Sequence, residues 1–137
     1  MNYLEWNLDT EEGIDVYDPL GDLKILGDEG KIVEESTYLD AFFEALVEAV
    51  QNIEIGKSIS VDPIVEPNNL EFDCQRDFLK VIYGQQQAIL FQKNQFVKEV
   101  HEAVEELLKI LDKQSEIAKQ QKPKLVKLQN YFKHGKM

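Results

Sequence analysis

Two stretches of helical hydrophobic spacing, set among short alternating segments, constrain the fold of this chain more than any other feature. Residues 38–53 (YLDAFFEALVEAVQNI) put Leu39, Phe42, Phe43, Leu46, Val47, Val50 and Ile53 on one broad stripe. Residues 94–112 do the same with Phe96, Val97, Val100, Ala103, Val104, Leu107, Leu108 and Leu111. Thr37 and Asn94 are the expected N-caps, Gly56 is the expected stop of the first helix, and Pro123 ends any extension of the second.

Elsewhere the apolar period is two. Leu4, Trp6 and Leu8 alternate with Glu5 and Asn7, as in a strand with one buried face, and residues 9–13 turn the chain. Ile14 and Val16 alternate again, Asp18-Pro19-Leu20-Gly21 reads as a turn, and residues 23–26 and 32–34 flank Asp28-Glu29-Gly30 as a hairpin. Residues 58–61 read as a strand broken by Pro63 and Pro67, because proline lacks a ladder donor. Leu70, Phe72 and Cys74 alternate inward, and after Gln75-Arg76-Asp77 residues 79–83 and 87–91 form a second hairpin.

The predicted fold is α+β. It has two layers: a mostly antiparallel sheet of about six strands, two main helices on one face, and a short C-terminal helical segment. Leu23-Lys24 and Leu79-Lys80 match at an offset of 56 residues and the two helical stripes at 57. A ββα duplication is one reading of this match, and coincident patterning is the other.

Charge divides the chain differently. Residues 1–77 carry 20 Asp and Glu against 4 Lys and Arg, whereas residues 117–137 carry six Lys and no acid. The expected division is an acidic domain, 1–116, and a basic segment, 117–137. A net charge of −11 disfavours nucleic-acid binding by the body, since phosphate contacts need Lys and Arg, and it favours a basic protein partner. Asp40, Glu44 and Glu48, four residues apart on the first helix, form the expected partner-binding ridge, since like charges at this spacing must face solvent or a cation. In the basic segment Leu125, Leu128 and Phe132 share one helical face with Tyr131 beside them. Docking on an acidic body, of the same chain or a neighbouring copy, or disorder is the expectation.

No catalytic, cofactor or metal site is expected. Cys74, His101 and His134 are too scattered for a zinc site; Cys74 is read as a buried core thiol and His101 as the edge of a helical stripe, one turn before Glu105. Asp15, Asp18, Asp22, Asp28 and Glu29 do not have EF-hand spacing and are read as solvated turn acids. The isolated glycines make no phosphate loop. A single cysteine, an N-terminus without a basic-then-apolar leader and the lack of any run of 18 apolar residues give a cytoplasmic expectation with no membrane span.

Three functions follow in order of preference. The first is a non-catalytic domain whose acidic surface engages a basic protein, similar in general character to small acidic immunity or antitoxin proteins. The second is a structural homo-oligomer with an exchanged C-terminal segment, and the third an enzyme built from scattered carboxylates.

Overall fold

The structure, a computed structural model, describes residues 3–9, 19–27, 30–63, 68–84 and 88–117. The expected turn at 9–13, the Ile14 and Val16 alternation, the tips of both predicted hairpins, the break at Pro67 and the segment beyond Ile117 lie wholly or partly outside those residues.

The class is α+β, with seven strands and two helices among the described residues: β1 (Leu4–Leu8), β2 (Leu20–Leu26), β3 (Lys31–Tyr38), α1 (Leu39–Glu54), β4 (Ile59–Val61), β5 (Leu70–Cys74), β6 (Phe78–Tyr83), β7 (Ile89–Gln92) and α2 (Lys93–Ile117). In place of one sheet of about six strands there are two antiparallel meanders, β1-β2-β3 and β4-β5-β6-β7. Period-two patterning specifies that a strand has one buried face, not which strand it pairs with.

Strand β2 starts earlier than expected. Leu20 and Gly21, read from the sequence as part of a turn, pair with Tyr38 and Thr37, because β3 is long enough to supply them with partners. The register shifts between Gly21 and Leu23, so that Glu35 and Ser36 together oppose Asp22. Ser36 sits at φ 52°, and its N–H donates to Asp22 Oδ1 at 3.0 Å. Asp22, expected as a solvated turn acid, therefore holds a bulge.

Both helices begin directly from strands, which overturns both expected caps. Thr37 is buried within β3, and Tyr38 stands at the N-cap position without a side-chain capping bond. The N–H of Leu39 donates instead to the carbonyl of Pro19 at 2.9 Å. Asn94 lies inside the first turn of α2, where the N–H of Lys93 donates to the carbonyl of Asp77 at 3.0 Å. In each case the residue just before a strand, Pro19 before β2 and Asp77 before β6, satisfies a donor that a cap side chain serves elsewhere. Gly56 does close α1 as expected: at φ 78° its N–H reaches the Ile53 carbonyl and that of Lys57 reaches Asn52, both at 2.9 Å, the paired bonds of a Schellman motif.

The helices join the two sheets. Nine of the sixteen residues of α1 are buried, an arc too wide for one packing partner, and α1 packs against β2 and β3, against β4, and against α2. Phe43 meets Trp6 of the first sheet edge-on at 5.4 Å, and Phe42 meets Tyr83 of the second at 6.5 Å. Helix α2 covers the second sheet through Phe96, whose ring lies 5.9 Å from Phe72 and 5.2 Å from Phe91, and it also contacts β1. The end of the β2–β3 hairpin abuts β7 so closely that a Cβ on Gly27 would overlap Ile89.

Candidate functional site

Asp40, Glu44 and Glu48 fall one turn apart along α1, as the spacing requires, but they are not equally presented. Asp40 and Glu44 are half-buried and engage neighbouring groups, whereas Glu48 is exposed. Toward the C-terminus the solvent-facing side continues through Gln51, Glu54 and Ile55, the last 67% exposed and so the most open large apolar side chain among the described residues. No basic residue lies in the last turn, so the negative end of the helix dipole adds to Glu48 and Glu54 rather than being offset. The C-terminal half of α1 is therefore the part of the ridge open to a cation. Sequence reading missed Glu54 and Ile55 because it followed the four-residue repeat alone; the missing last-turn cation was the available signal.

A carboxylate on α2, which the sequence pattern did not single out, is structural. Glu99 is only 9% exposed; one oxygen accepts the N–H of Leu4 and the other a hydrogen bond from Gln95 Nε2, each at 3.0 Å. It occupies the stripe position between Phe96 and Ala103, so the spacing itself marked it for burial. Through Leu4 it ties the edge of β1 to α2. Glu99→Ala leaves that buried N–H without its acceptor and is expected to cost about 1–3 kcal/mol, while Glu99→Gln keeps an acceptor and costs less. Urea unfolding of the two variants, with hydrogen exchange at the Leu4 amide, checks this.

Cys74 departs from its expected burial. It is half-buried at the end of β5, where its N–H donates to Ser58 Oγ at 2.8 Å, because the alternation that buries Leu70 and Phe72 runs out at the sheet rim. His101 is half-buried on α2, as its edge position implied. Glu105, one turn on, accepts from Lys109 Nζ at 3.0 Å. His134, Asp15, Asp18, Asp28 and Glu29 lie outside the described residues.

The solvent side of the second sheet holds an open groove of about 380 Å³ beside Ser58, Ser60, Glu71, Asp73, Lys80 and Ile82. Asp73 accepts from Ser58 Oγ at 3.4 Å and from Gln75 Nε2 at 3.5 Å, and both it and Glu71 are exposed to solvent. Among the described residues no three His, Cys, Asp or Glu side chains group so as to hold a metal ion, and no helix is long and apolar enough to cross a membrane. Comparison with protein-family models, curated proteins and solved structures finds no match to this chain.

Proposed function

We propose that this chain is a non-catalytic, cytoplasmic binding protein whose acidic surface engages a basic protein, in the general manner of an immunity or antitoxin protein covering a nucleic-acid-processing partner. The observation that carries the reading is the charge distribution: 20 acids against 4 bases over residues 1–77. The uncompensated C-terminal end of α1, with Glu48 and Glu54 exposed, supports it as the point of engagement. Ile55 supplies the apolar contact that charge alone lacks.

Capture of a partner from the source cells, beginning with proteins encoded by neighbouring reading frames, tests the reading; a partner without a basic face contradicts it. With that partner in hand, the Asp40→Asn, Glu44→Gln, Glu48→Gln triple variant is expected to associate on the order of tenfold more slowly at low salt, with a flatter salt dependence. Unchanged kinetics in stopped-flow mixing would remove the ridge from recognition. Because Asp40 and Glu44 are half-buried, unfolding of the triple variant must be measured alongside.

The same proposal extends to origin by ββα duplication. Hairpin β2–β3 followed by α1 and hairpin β6–β7 followed by α2 have the same order, and at an offset of 57 residues buried Leu39, Phe43, Leu46, Val47 and Val50 correspond to buried Phe96, Val100, Ala103, Val104 and Leu107. In both units the residue before the first hairpin strand accepts the first helical N–H.

A further inference from the structure

We infer that the free edge of β3 pairs with β3 of a second copy of this chain, antiparallel about a two-fold axis at Val33, so that the two β1-β2-β3 sheets join into one. At 8 residues β3 is the longest strand among the described residues, and it ends its sheet. An edge of that length offers a row of backbone donors and acceptors to another strand unless something covers it. The other three edges are covered or short. On β1, Glu99 takes the Leu4 N–H; on β7, the Gln92 N–H donates to Tyr3 Oη at 3.2 Å and Gly27 stands against Ile89. Strand β4 has only 3 residues. Among the described residues no strand pairs with the outer side of β3.

The hairpin fixes which groups point outward. The Gly27 N–H donates to the Gly30 carbonyl at 2.9 Å, and antiparallel bonding alternates from that pair. Ile25 and Ile32 therefore exchange bonds, as do Leu23 and Glu34, while the N–H and C=O groups of Lys31 and Val33 turn away from β2. Glu35 continues the alternation before Ser36 breaks it at φ 52°. The side chains of Lys31, Val33 and Glu35 are all exposed.

The order of these three side chains selects a second copy as the occupant. A two-fold pairing centred on Val33 sets Val33 opposite Val33 of the partner subunit and Lys31 opposite Glu35 of the partner subunit, and the reverse pair follows by symmetry. Like charges guard an edge against self-pairing, because this register would bring them face to face; here it brings unlike charges together. On the inner side Ile32 falls opposite Glu34 of the partner subunit, a carboxylate that already accepts the Tyr83 hydroxyl of its own chain at 3.0 Å. A ladder this short buries little area, so the dimer is of the weak, transient class.

Sedimentation equilibrium on the full chain tests this in about 0.15 M salt, where repulsion between two bodies of net charge −11 is screened beyond about 8 Å. The wild-type protein is expected to dimerise with rising concentration. Val33→Pro removes an outward N–H that β2 does not use, and should weaken the dimer about tenfold or more with the urea midpoint near wild type. Lys31→Glu and Glu35→Lys each set like charges opposite one another at two places, and each should weaken it on the order of tenfold. Glu35→Lys also makes the chain less acidic, so weakening there separates pairing in this register from whole-body repulsion, which predicts the opposite sign. Mixing the two single variants makes both junctions Glu–Lys again and should restore wild-type affinity in the heterodimer. A wild-type protein that is monomeric at every concentration, a dimer indifferent to Val33→Pro, or no recovery on mixing would each overturn the inference, the first leaving the edge to a strand of another protein.

Discussion

Phe42→Ala is expected to lower the unfolding free energy by about 3–5 kcal/mol, the largest loss foreseen for any single core truncation here. The side chain has no exposed surface, and its ring lies 6.5 Å from that of Tyr83. It reaches from α1 to the second sheet while its neighbour Phe43 reaches Trp6 of the first. A cavity at this point has little chance to collapse, because the surrounding side chains belong to different sheets and cannot shift together. Domains of this size have about 5–15 kcal/mol in total, so the variant should be close to unfolding at moderate temperature. Urea unfolding followed by Trp6 fluorescence measures it, and a loss below about 1 kcal/mol would mean that α1 does not bridge the sheets.

Gly21→Val should cost about 3 kcal/mol or more by a different route, overpacking against backbone. A Cβ at Gly21 would overlap the carbonyl oxygen of Asn7 on β1 and stand 2.6 Å from Leu39 Cδ1. The Leu39 side chain alone can swing aside, but a strand carbonyl moves only if its strand moves. The expected result is local parting of β1 from β2, with loss of the bond from the Asp9 N–H to the Leu20 carbonyl, now 2.9 Å. Hydrogen exchange at the Asp9 amide reads this directly. Protection equal to wild type would show that the two strands accommodate a side chain at this crossing.

The two predictions differ in how visible their residues were beforehand. Phe42 stands on a stripe that periodicity alone identifies, since residues 38–53 can bury their apolar side chains together only as a helix. The observed α1, Leu39–Glu54, differs from that reading by a residue at each end, and its stop at Gly56 was legible because glycine alone takes positive φ at no steric cost. Gly21 was read as part of a turn. Its true role depends on β1 pairing beside it, where Leu8 is its partner, and on Leu39 of α1, contacts that the local turn signal does not contain.

The same distinction runs through the rest of the molecule. Local sequence determined the two helices, most of the strands, the inward faces of Leu4, Leu23, Leu70 and Phe72, and the acidic and basic ends, because periodicity, turn chemistry and charge act over a few residues. Tertiary structure decided the division into two sheets, since a strand pattern carries no record of its partner. It also decided the helix starts, where the carbonyls of Pro19 and Asp77 take the place of Thr37 and Asn94 as caps. It separated carboxylates of identical chemistry into different roles: Asp22 holding a bulge, Glu99 holding a strand edge, and Glu48 left to solvent. A carboxylate's role depends on which backbone N–H comes within hydrogen-bonding distance of it, and only the packing of distant segments brings one there.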